Sequence, residues 1–170
     1  MRKVAALASA ISCLVAFACA PPPALREYAY PAWGFAASFR APPKETDTPA
    51  SPDGKRAHTF LVEGGAGGRD NLVYVIDGSS STKSDDQALT DAPGALAKSV
   101  GGTLGPITYA SSGTVMGREF LLNRHGRPAS KVRIFVAGKH LYEVISQSPL
   151  GPDDSETAEF LASFRLLAAR

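Results

Sequence analysis

From about Tyr28 onward the chain is a succession of short apolar runs, rich in β-branched and aromatic residues, broken by clusters of Gly, Pro, Asp and Ser. Runs of this length and composition predict strands. The first spans residues 34–39 (GFAASF) and is closed by Pro42-Pro43. Residues 57–63 (AHTFLVE) and 71–77 (NLVYVID) follow, joined by the glycine-rich GGAGGRD. Residues 106–113 (PITYASSG), 117–124 (GREFLLNR), 131–137 (KVRIFVA) and 140–147 (HLYEVISQ) complete a set of about seven. Only Gly138-Lys139 separates the last two, which predicts a tight antiparallel hairpin, because glycine supplies the positive φ that such a turn needs.

The NLVYVI and RIFVA runs are apolar at both alternating positions, so the middle of the sheet is expected to be covered on both faces. Two segments can supply helices. Residues 84–102 open with Ser84, Asp85 and Asp86 as cap and first-turn acids, space Leu89, Leu96 and Val100 at near-helical intervals, and stop at Gly101-Gly102. Pro93 in the middle predicts a kink or a restart, since proline lacks a backbone donor. Residues 151–167 begin with Pro152, Asp153 and Asp154 and stack Ala158, Phe160, Leu161 and Phe164 at helical spacing. Helices after the third and seventh strands predict an α+β domain, a central antiparallel sheet of about six or seven strands covered by helices.

Ahead of this domain the pattern changes. Met1-Arg2-Lys3 is followed by an uncharged apolar stretch over residues 4–18, too short to span a bilayer, which needs about 20 apolar residues. A basic head and an apolar run ending in small residues predict a cleaved export signal over residues 1–18. Ala16-Phe17-Ala18-Cys19 resembles a bacterial lipobox, with Ala16 where leucine is usual and Phe17 where Ala or Ser is usual. Cutting before Cys19 would leave its thiol to carry a lipid; the alternative is plain secretion with an incidental cysteine. The proline-rich stretch over residues 19–29 suits an extended tether, and residues 30–170 read as a single domain. Cys13 would leave with the signal, so the mature domain is expected to hold no internal disulfide and no cysteine-based metal site.

Charge narrows the classes further. Lys and Arg number 18 against 16 Asp and Glu. Arg2 and Lys3 account for the whole surplus, which leaves the expected mature chain at zero net charge, without the basic excess of a nucleic-acid binder. Arg124, Arg127, Lys131 and Arg133 form the one basic concentration, and Gly126 and Pro128 place it on a solvated hairpin tip.

Candidate chemistry is sparse. His58, His125 and His140 show no metal-ligand spacing and read as surface or strand-end residues. The glycines at 64, 65, 67 and 68 lack both G-K-[ST] and the spacing of a dinucleotide loop, and no helix follows them. The serines at 79–81 lack the second glycine of a nucleophile elbow and any assignable His partner. The acidic pairs Asp85-Asp86 and Asp153-Asp154 both stand at helix starts, where acids face the helix dipole. No cofactor is expected.

Taken in order, WGFAASFRAPP, GREFLLN, VRIFVAGKHLYEV and a short acidic helix closing on FLASFRLL resemble the small exported proteins of the PsbP/Mog1-like superfamily over roughly residues 30–167. Those proteins often end an opening Gly-Phe strand in Phe-Pro; here Phe39 is followed by Arg40-Ala41-Pro42. The resemblance implies an α/β/α sandwich and a non-catalytic function, in which members dock onto a larger protein or complex. It brings no catalytic residues with it and does not identify the partner.

The expected protein is therefore not an enzyme but a monomeric envelope or periplasmic binding module, held to the membrane through a lipidated Cys19 and contacting an unidentified protein. Candidate contacts are Tyr30 and Trp33 beside the tether, Gly65 and Gly67 in the glycine loop, and Arg124 and Arg127 on the basic tip. Trp33 also has a plainer role open to it, covering the edge of the sheet. A second expectation is a small-ligand site between the sheet and the helix near Pro93, which a closed apolar core would exclude and a cavity with convergent polar groups would favour. A third, a hydrolase pairing His58 or His140 with one of Ser79 to Ser81, has no motif behind it.

Overall fold

The computed structural model describes residues 23–48, 55–65, 68–78 and 84–167. Before the first helix run β1 (Arg26–Tyr30), a single 3-10 turn (Pro31–Trp33), β2 (Phe35–Phe39), β3 (Lys44–Thr48), β4 (Arg56–Gly65) and β5 (Arg69–Asp77). Helix α1 (Asp85–Ser99) leads to β6 (Thr103–Leu104), β7 (Thr108–Ser112), β8 (Val115–Asn123), β9 (Ser130–Ala137) and β10 (His140–Gln147). Helix α2 (Ser155–Ser163) and the two-residue β11 (Arg165–Leu166) follow.

These strands form two antiparallel sheets. The larger has eight strands in the order β3-β4-β5-β10-β9-β8-β6, with β7 also paired to β8. The smaller is β1-β2-β11. Alternation along the central strands builds two faces. Phe60, Val73, Val75, Phe135, Tyr142 and Val144 point to one side, where they meet Phe35 and Phe39 of β2 and Phe160, Leu161 and Phe164 in and after α2. Phe120, Leu122, Val132, Ile134, Val136 and Leu141 point to the other, against Ala88, Leu89, Ala92, Leu96 and Ala97 of α1. Each fully buried Phe, Leu, Ile or Val contributes roughly 1.5–3 kcal/mol, so two such cores can hold the sheet without a disulfide. Helices lie on both faces of the sheet, α2 sharing its face with the three-stranded sheet, but β5, expected to be covered on both sides, keeps Leu72, Tyr74 and Ile76 only half-buried.

Three local features depart from expectation. Residues 26–29, read as tether, belong to β1, which pairs residue for residue with β2 from Arg26↔Phe39 to Tyr30↔Phe35. β3 was hidden because every one of its side chains is exposed; it is an edge strand held by its pairing with β4. Pro93 lies inside α1 without dividing it, since Leu89, Ala92 and Leu96 pin both halves of the helix to the sheet. Ser84 caps that helix, accepting from the Gln87 amide at 3.2 Å, ahead of Asp85 and Asp86.

Two glycines are required by position. Gly138 turns β9 into β10 at φ 61°. Gly117 lets β8 pass so close to β9 that an added Cβ would stand 2.6 Å from Phe135 Cδ1.

A buried polar lock fastens α2. The Arg69 guanidinium is 5% exposed, ion-paired with Asp154 at 2.8 Å and with Glu156, and donates to Ser148 Oγ at 3.2 Å. Asp154 is also the N-cap of α2, accepting from the Glu156 amide at 3.0 Å. Burial acts to raise the Asp154 carboxyl, but hydrogen bonds from Thr157 and Ser148 and the Arg69 charge outweigh it and hold the group below its ordinary range.

Candidate functional site

Helix α1 packs over β8 and β9 and leaves the β5–β10 part of the same face without a lid. The result is a groove of about 500 Å³ between helix and sheet. Its floor is Leu72, Tyr74 and Ile76 of β5 with Glu143 and Ile145 of β10. Ala95, Leu96, Ser99 and Val100, the C-terminal part of α1, form one wall. Leu122, Arg124 and Ser130 close the end. The lining is largely apolar, and its few polar groups stand at defined points.

Glu143 is the most unusual of them. It lies mid-strand on β10, in register between Tyr74 of β5 and Ile134 of β9, and is only 6% exposed. Burial alone pushes its carboxyl up to about 7, and no hydrogen bond or charge among the described residues offsets that burial. An ionisable side chain buried to this extent is rare in a folded interior.

Arg124 is the second polar group. It was expected on a solvated tip, but the structure corrects this: its side chain folds back over the start of β9, and Nη2 donates to Gln147 Oε1. Ser130 Oγ donates to the same Gln147 oxygen at 3.3 Å. Arg124 Nε is buried and has no hydrogen-bond partner among the described residues. At the helix end Ser99 Oγ donates to the Leu96 carbonyl at 2.8 Å.

The other candidate residues lie elsewhere. Tyr30 and Trp33 are half-buried against the aromatic core: Tyr30 packs on Phe60 at 4.2 Å, and Trp33 stacks on His58 at 4.5 Å. Trp33 thus covers one end of the core, and its carbonyl accepts a hydrogen bond from Tyr142 Oη at 2.9 Å. His58 is not the surface residue expected of it. It is 8% exposed, because β3 lies alongside and brings Asp47 to its Nδ1 and Glu45 within 3.3 Å of Nε2. His140 sits 6.0 Å from the Trp33 ring and 3.2 Å from Tyr142 Oη; burial lowers its pKa, opposed by Asp77. His125 and Arg127 are exposed on the β8–β9 connection. Gly65 ends β4, paired with Arg69. Gly67, Cys19 and Ser79 to Ser81 lie outside the described residues. Among the described residues no three His, Cys, Asp or Glu side chains converge as metal ligands, and no helix is long and apolar enough to cross a membrane.

Glu143 and the groove-facing role of Arg124 were missed by sequence reasoning. A signal for Glu143 existed: a glutamate in the middle of HLYEVISQ, in a sheet read as covered on both faces, has no solvent-facing side to occupy. Compared with known proteins, the chain matches no family model and no curated protein.

Proposed function

We propose that this protein is a non-catalytic binding domain whose ligand, a small and largely apolar molecule, lies in the groove beneath α1. The observation that carries this reading is the groove itself: about 500 Å³ of apolar lining with an unpartnered buried carboxyl in its floor and an unpartnered guanidinium nitrogen at its end. Concave apolar sites with a few placed polar groups are the usual form of small-molecule sites. The test is saturable binding of the neutral fluorophore Nile red, followed by its emission. Ala95 is an exposed helix position on the groove wall, so Ala95→Trp fills the groove without disturbing the core. We expect one-to-one binding to the native chain and at least a tenfold loss in the variant. Absence of binding, or equal binding by both, would refute the reading.

The export signal, lipidation of Cys19 and a PsbP/Mog1-like sandwich belong to the same proposal. The basic head and apolar run of residues 1–18 support the first two. The third is supported by an antiparallel sheet with α1 on one face and α2 on the other. Intact-mass analysis of the N-terminal peptide from membrane and soluble fractions, beside Cys19→Ser, tests the anchor: an acylated Cys19 in the membrane fraction supports it, and an unmodified soluble chain beginning at Cys19 refutes it.

Docking onto a protein partner is a second reading, favoured by the β7–β8 rim. There Ile107, Tyr109 and Met116 are exposed, and the Arg118 guanidinium lies 4.7 Å over the Tyr109 ring.

A further inference from the structure

Resting on the reading of the groove as a ligand site, we infer the class of that ligand: an organic cation, an ammonium group on an apolar chain or ring, seated on the Glu143 carboxylate. Glu143 lines the groove from the middle of its floor, is nine-tenths buried, and has no hydrogen-bond or ion-pair partner among the described residues. An ionised carboxylate in an apolar floor is costly until a cation meets it, and the ammonium of a bound ligand is the group that cancels the cost.

Three features of the surroundings favour positive charge at this point. The groove wall is the last turn of α1, whose carbonyl end carries partial negative charge. Tyr74, directly opposite Glu143 in register, offers an aromatic face on which an ammonium can rest. The remaining floor, Leu72, Ile76 and Ile145, provides the apolar bed for the rest of the molecule.

The charged and titratable groups around Glu143 are few. Tyr74 faces it from β5; Ile134, its register neighbour on β9, is apolar; and α1 lends no ionisable side chain to the lining. Arg124 reaches in from the end of β8 to Gln147, four residues along β10 from Glu143, or about 13 Å at the strand rise. At that separation the Arg124 charge repels a cation at Glu143 with about a third of the strength with which a carboxylate about 4 Å away attracts it.

The experiment compares three ligands that share one tail, n-octylamine, n-octanol and n-octanoate, by isothermal titration into the full chain. At pH 8 we expect octylamine to bind at least tenfold more tightly than octanol and octanoate to bind weakest. Because Glu143 is protonated below about 7, octylamine affinity should fall about tenfold from pH 8 to pH 6, whereas octanol affinity should stay level. Glu143→Gln should remove the preference for the amine. Independently of any variant, octylamine binding at pH 7 should release about half a proton, read from the dependence of the heat on buffer ionisation enthalpy. Octanol or octanoate binding as tightly as octylamine to the native chain overturns the cation and leaves the groove as a site. Failure of all three to bind overturns both.

Discussion

Replacing Glu143 with glutamine tests the physical basis of the site without any ligand. In the unfolded chain the carboxyl titrates near 4.5, and in the fold burial pushes it up to about 7. The folded state therefore binds the proton more tightly, and stability falls as pH rises through the interval between these values. At about 1.36 kcal/mol per pH unit the full penalty is roughly 3 kcal/mol, complete above pH 7 and absent below pH 4.5. Glutamine has the same shape and no charge to desolvate. The variant should therefore be about 3 kcal/mol more stable than the native chain at pH 8, and less than about 1 kcal/mol more stable at pH 5. For a domain of this size 1 kcal/mol moves Tm by roughly 3 °C, so the gap at pH 8 should be near 10 °C. Urea unfolding at both pH values, with m held common, measures it directly. A gap that does not change between pH 5 and pH 8 would show that Glu143 is solvated or paired in solution, and the account of the groove floor would fail.

Two further outcomes follow from the packing. Arg69→Met should lose about 3–5 kcal/mol in urea unfolding, because it leaves Asp154 and Glu156 beside the helix start without their buried cation; a loss below 1 kcal/mol would mean that water replaces the guanidinium. Gly117→Ala should cost about 3 kcal/mol, since its Cβ meets Phe135 at 2.6 Å and cannot move off without parting β8 from β9; an unchanged Tm would refute that close approach.

Much of this fold is legible in the sequence, for a physical reason. β9 and β10 are buried on both faces and β5 is buried on one with its other face half-buried, so their runs are apolar throughout and stand out from what surrounds them. α1 advertises itself through Ser84 and the acids behind it, and α2 through Asp154. What stays hidden is held in place by partners distant in sequence. REYAY and KETDT become strands only because β2 and β4 pair with them, and each lies at the edge of its sheet. Arg69 follows a glycine run and reads as loop until Asp154, 85 residues on, is found beside it. The groove was legible only as an alternative, because an amphipathic helix reveals which side it buries but not how much of the sheet it fails to cover.

That uncovered area distinguishes the two faces of the sheet. Toward α2 the aromatic side chains close on one another: Phe35, Phe60, Phe135, Tyr142 and Phe164 meet edge-on, tilted or stacked at 4.9–6.2 Å. Toward α1 the same strands carry Leu72, Ile76 and Ile145 only half-buried, with Glu143 among them. Stability alone would favour an apolar residue at 143, as it has at Leu141 on the same face of the same strand. A glutamate there weakens the fold at neutral pH, and no hydrogen bond or charge among the described residues restores the loss. The two properties share one origin: the desolvation that makes an ionised Glu143 costly by itself is what would favour a cation placed beside it. A purely structural account of the α1 face explains the apolar floor but not the carboxyl within it, and the proposed cationic ligand would account for both.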